Sequence, residues 1–79
     1  MKNNIVYSED KLYVYLEGNM NKRKLRKLKS KVSSIVNNFQ INDLIVDTQK
    51  LEEYNDDYFD KMFNDYESSG INVKKIWHF

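Results

Sequence analysis

The sequence has no cysteine, no proline, no alanine and only two glycines in 79 residues. Without cysteine, neither a disulfide framework nor a thiolate-bound zinc can staple the fold. No Gly-rich loop is present to cradle a phosphate. A single histidine, His78, leaves no Ser–His–acid arrangement to assemble and makes a poor metal site. No Asp-x-Asp-x-Asp-Gly loop supports calcium. No apolar run approaches the roughly 18 residues of a membrane-spanning helix, and the opening MKNNIVYSEDK has no apolar signal-peptide segment. A net charge of +1 argues neither for nucleic acid nor for an acidic substrate. These absences lead to the expectation of a soluble cytoplasmic protein with no enzymatic activity and no cofactor.

What is present is packing material. The chain is 41% hydrophobic and 14% aromatic, too rich for a disordered tail. Its length fits one domain, residues 1–79, and a chain this short buries only about 60% of its unfolded surface. Ile, Val, Leu, Tyr and Phe supply the apolar volume, which favours a sheet over an Ala-rich bundle. Eleven lysines against two arginines, with ten asparagines, suggest AT-rich codons and a bacterial or phage source.

Asn4 to Ser8 is a β-prone run, and Glu9-Asp10-Lys11 is a hairpin break. Leu12, Val14 and Leu16 then alternate with Tyr13, Tyr15 and Glu17, the mark of a strand. Gly18-Asn19-Met20-Asn21 is expected to end it, with Asn21 as a helix N-cap. Leu25, Leu28, Val32, Ile35 and Phe39, spaced 3, 4, 3 and 4, form one stripe of a helix over 22–38. Leu44-Ile45-Val46 reads as a strand covered on both faces. Asp47 to Asn55 reads as a loop with Leu51 and Tyr54 turned inward. A second helix over 56–69 carries Phe59, Met62, Phe63 and Tyr66 and stops at Gly70. Ile71 to about Trp77 is the last strand. The order β-β-α-β-α-β, with right-handed crossovers, gives an α/β two-layer sandwich. A four-stranded mixed sheet would carry both helices on one face.

This order and several short motifs resemble the STAS domain, the fold of bacterial anti-sigma factor antagonists. Leu12-Tyr13-Val14-Tyr15-Leu16-Glu17-Gly18 is similar to the family's strand and Gly-containing turn. Leu44-Ile45-Val46-Asp47 is similar to its strand with a terminal Asp. Asn55-Asp56-Asp57-Tyr58-Phe59 falls on the motif that holds the family's regulatory phosphoserine. Asp56 and Asp57 stand where the family has serines, and Tyr58 replaces a glycine. The family commonly continues with another helix and strand, so the resemblance is to a truncated domain. It implies a module that binds a regulatory protein, an anti-sigma factor-like protein or a STAS assembly, without phosphorylation control. It places the contact at Gly18, Asn19 and Met20 with Asn55, Asp56 and Asp57.

Each constellation also has a plainer reading. Asp56-Asp57 at a helix N-terminus is ordinary capping, worth about 0.3–1 kcal/mol, or else a stand-in for phosphoserine. Lys22, Arg23, Lys24, Arg26, Lys27, Lys29 and Lys31 put seven cations in ten residues. Such a run tracks nucleic-acid phosphates or simply faces water. Beside it stand Glu52, Glu53, Asp56, Asp57, Asp60, Asp65 and Glu67, so the two fields partly cancel. The acidic helix would also suit a small phage-type inhibitor. On the sheet's second face, Tyr13, Tyr15 and Ile45, joined by Trp77 or Phe79, form either a wet surface or an oligomer face.

Overall fold

A computed structural model describes residues 5–77; Asn4, His78 and Phe79 lie outside that range. The elements follow the expected order: β1 (Ile5–Ser8), β2 (Lys11–Met20), α1 (Lys22–Phe39), β3 (Asp43–Tyr54), α2 (Asp56–Ser68) and β4 (Asn72–Ile76). The sheet order is β1-β2-β3-β4. β1 runs antiparallel to β2, and β2, β3 and β4 are mutually parallel. The fold is therefore the α/β sandwich with a mixed sheet that the periodicity predicts.

The β1–β2 hairpin closes through Glu9-Asp10, with Ser8 paired to Lys11. Glu9 sits at φ 58, a left-handed conformation that a non-glycine residue adopts at a cost. Alternation then fixes the faces. Leu12, Val14 and Leu16 are buried with Leu44 and Val46 of β3 against Leu25, Leu28 and Val32 of α1 and Phe59 and Phe63 of α2. One continuous core thus lies between the sheet and the helices.

The helix ends obey local chemistry. Asn21 Oδ1 accepts from the Lys24 amide at 2.9 Å, and Asn55 Oδ1 from the Tyr58 amide at 3.0 Å, so each side chain satisfies one orphan donor. α2 stops in a Schellman motif. The Ile71 amide donates to the Tyr66 carbonyl and the Gly70 amide to the Glu67 carbonyl, with Gly70 at φ +94. α1 runs on past Asn37-Asn38 to Phe39, and Gln40 takes the left-handed cap position. Phe39 ends the stripe but is exposed, its ring 5.5 Å from that of Tyr7.

Two expectations are corrected. β2 does not end at Gly18, and Asp47–Asn55 is not a loop: β2 continues to Met20 and β3 to Tyr54, paired to their ends. β3 absorbs one extra residue between the pairs Tyr15–Asp47 and Glu17–Lys50, and another between Gly18–Leu51 and Asn19–Glu53. These bulges let Leu51 and Tyr54, three residues apart, both turn toward the core. Nor is β3 covered on both faces. Leu44, Val46 and Thr48 are buried on the helix side, while Asp43, Ile45 and Asp47 are half-buried on the other.

Candidate partner-binding surface

β4 reaches only to the level of Asp47, and the described part of β1 only to the level of Val14. Among the described residues only β2 and β3 continue beyond that level, as a two-stranded ribbon, and both helices begin at its tip. The Asn55 amide donates to the Met20 carbonyl at 3.1 Å, which ties the start of α2 to the end of β2. The two segments predicted from the sequence therefore meet. Asn19, Asn55, Asp56 and Asp57 are exposed and Gly18 is half-buried. Met20 differs: it is only 7% exposed and its carbonyl is taken by Asn55, so it chiefly holds the tip together. A shallow groove of about 260 Å³ lies there, lined by Asn19, Met20, Lys22, Glu53, Tyr54 and Asn55 among others.

The charges at this end are divided. α1 opens with Lys22, Arg23 and Lys24 and has no acid in its first turn, so cations add to the positive end of its dipole. α2 opens with Asp56 and Asp57, which offset its dipole. The Tyr54 phenol lies on the acidic side; burial pushes its pKa up, and the carboxylates of Asp56 and Asp60 add to the rise. Between the helices runs a second groove of about 500 Å³, lined by Lys22, Lys29, Asp57, Tyr58 and Lys61 among others. The helices are joined across it. Lys29 Nζ pairs with Asp65 Oδ2 at 3.1 Å, and the Tyr66 hydroxyl lies 2.8 Å from Ser33 Oγ and donates to the Lys29 carbonyl at 3.1 Å.

The sequence missed an aromatic cluster beside the ribbon. Phe59 lies 4.9 Å from Tyr54, 4.9 Å from Phe63 and 5.8 Å from Trp77, ring centre to ring centre. Lys75 Nζ sits 5.5 Å from the Phe59 ring centre, within cation–π range. Trp77 thus departs from the grouping with Tyr13, Tyr15 and Ile45. Ile76 is level with Asp47 on the open face, and the next residue turns to the helix side, where Trp77 is 40% exposed. A Phe59–Phe63 spacing of four and an aromatic after the last strand were the available signals.

The open face itself carries Tyr13, Tyr15 and Ile45, with Val6 alongside Tyr13 and Lys74 alongside Ile45. The cations of α1 other than Lys29 are exposed. Among the described residues no cluster of three or more His, Asp or Glu side chains could hold a metal ion, and no helix is long and apolar enough to cross a membrane.

No protein-family model and no curated protein matches the sequence. Solved structures do match the fold. A crystal structure of Mglu matches with a TM-score of 0.81 at 9% identity, over 94% of this chain and 19% of that one. Mglu in its L-glutamate binding form matches with a TM-score of 0.62 at 6% identity, over 90% of this chain and 25% of that one. The anti-sigma factor antagonist SpoIIAA in its unphosphorylated form matches with a TM-score of 0.72 at 10% identity, over 89% of this chain and 66% of that one. The chain therefore spans a small part of Mglu and about two thirds of SpoIIAA, and it has the fold of an anti-sigma factor antagonist.

Proposed function

We propose that the chain is a non-enzymatic interaction module that binds a regulatory protein in the manner of an anti-sigma factor antagonist, in the cytoplasm of a bacterium or in a phage-infected cell. The contact surface is the ribbon tip: Gly18 and Asn19 with Asn55, Asp56 and Asp57, held by the Met20 carbonyl. The observation that carries this reading is the hydrogen bond from Asn55 to Met20, which joins the two segments at the start of α2. The fold shared with SpoIIAA supports it. Carboxylates in place of serines leave no hydroxyl at Asp56 and Asp57, so a kinase would have nothing there to switch.

The test is capture of partners from the native host with the intact chain, against Asp56→Asn/Asp57→Asn. A specific protein retained by the native chain and lost by the folded variant supports the reading. A partner retained equally by both variants refutes the site. The exposed cations of α1 favour a second reading, nucleic-acid binding. Strong loss of DNA or RNA affinity between low and physiological salt would be its signature.

A further inference from the structure

We propose that the open face of the sheet is the interface of a two-fold homodimer whose axis runs along the strands, between β2 and β3. The argument rests on which residues share a level across the sheet. Lys11 is level with Asp43, Tyr13 with Ile45, and Tyr15 with Asp47, all on the face away from the helices. A two-fold axis parallel to the strands lays β2 of one copy over β3 of the other without shifting levels. Lys11 then meets Asp43 of the second copy, Tyr13 meets Ile45, and the Tyr15 hydroxyl meets the Asp47 carboxylate. Each pair occurs twice, as an isologous contact requires.

The other in-plane two-fold, perpendicular to the strands, inverts the levels. Centred on the Tyr13–Ile45 level, it sets Asp43 against Asp47 and Lys74 against Lys74, so like charges oppose each other. The strand-parallel arrangement lays Val6 over the stem of Lys74 and opposes no like charges, so the face discriminates between the two. The apolar part is real but modest: Val6 is 44% and Tyr15 39% exposed, and Tyr13 and Ile45 are half-buried.

Size sets the strength. Strand spacing and rise give a footprint of roughly 400 Å² per copy, about half of a standard interface. The dimer is accordingly weak, dissociating in the micromolar range or above. The helix layer and the ribbon tip stay free, so this inference does not depend on the partner reading.

The test is sedimentation of the intact chain from about 10 µM to 1 mM, with single charge reversals. The native mass should rise toward that of two copies. Lys11→Glu opposes two carboxylates at both copies of the pair, and Asp43→Lys opposes two ammonium groups; each alone should stay monomeric. Mixed in equal amounts they pair Glu with Lys and Asp with Lys across the axis, and association should return. A native chain that is monomeric at 1 mM, a reversal that associates as well as native, or a mixture that stays monomeric overturns the proposal. If circular dichroism shows a reversal unfolded, Tyr15→Ser replaces it. It should weaken association at least tenfold, and unchanged association overturns the proposal equally.

Discussion

Replacing Tyr66 by Phe removes one oxygen from the seam between the two helices, and both consequences are measurable. Tyr66 is 6% exposed, and its hydroxyl makes two hydrogen bonds to α1, with Ser33 and with the Lys29 carbonyl. A neutral hydrogen bond contributes about 0.5–1.5 kcal/mol, so the pair amounts to about 1–2 kcal/mol after the small apolar gain of Phe. Each kcal/mol lowers the Tm of a domain this size by roughly 4–8 °C. The second consequence is alkaline. Burial raises the Tyr66 pKa most strongly; Tyr58 and Asp65 add to the rise, while the Ser33 bond and Lys29 oppose it. The folded state therefore holds this proton more tightly than the unfolded chain, whose tyrosines titrate near pH 10. The contribution is fully present below about pH 10 and is lost as pH rises through the folded value. The slope is at most about 1.4 kcal/mol per pH unit for one proton. Urea unfolding from pH 7 to 11 should show a shallower alkaline loss in Tyr66→Phe than in the native chain; Tyr54, also raised, is common to both. A Tm within about 2 °C of native, or an unchanged alkaline slope, would refute the seam as a source of stability.

Leu28, 6% exposed on the inner stripe of α1, should cost about 2–5 kcal/mol on truncation to Ala. A loss below about 1 kcal/mol in urea unfolding would contradict its place in the core. Glu9→Gly should raise the urea midpoint, because relief of the left-handed strain of about 1–2 kcal/mol exceeds glycine's entropic cost of about 0.5–1 kcal/mol. A lowered midpoint would contradict the hairpin geometry. Lys24→Gln/Lys27→Gln/Lys31→Gln changes exposed side chains only, so stability should stay within about 0.5 kcal/mol of native. If the native chain binds DNA or RNA at physiological salt and this variant does not, the nucleic-acid reading displaces the partner-binding one.

The helices and the inner half of the sheet were legible because their apolar spacing has one solution. Leu25, Leu28 and Val32 fit a helix and nothing else, and Leu12, Val14 and Leu16 fit a strand with one wet face. The ribbon was not legible, for two reasons. Gly18-Asn19 has the chemistry of a turn, yet Gly18 spends its φ of +64 inside a continuing strand. Leu51 and Tyr54 keep a spacing of three that only bulges can fit into a ladder, and a bulge leaves no sign in one strand read alone. The candidate surface was legible in part. The polar caps announced the helix starts and the resemblance brought the two segments together. The burial of Met20 was not legible because the parity that sets it depends on the strand continuing through Gly18. Trp77 was misplaced because the irregular alternation of β4 hides which side its last residue takes.

The ribbon's projection beyond the described parts of β1 and β4 has a consequence for how opening is distributed through the molecule. At the level of Tyr13 and Ile45, a strand separates only by breaking ladders on both sides, so amides there exchange with solvent through near-global unfolding. At the level of Asn19 and Glu53, one ladder and the Asn55–Met20 bond are what the described residues contribute. Protection should therefore decline along each of the two central strands toward the tip, within a single continuous element. Anything that closes over the tip must raise the protection of those last amides and leave the middle of the sheet unchanged. An exchange gradient that flattens on adding host extract would report a bound protein before its identity is known.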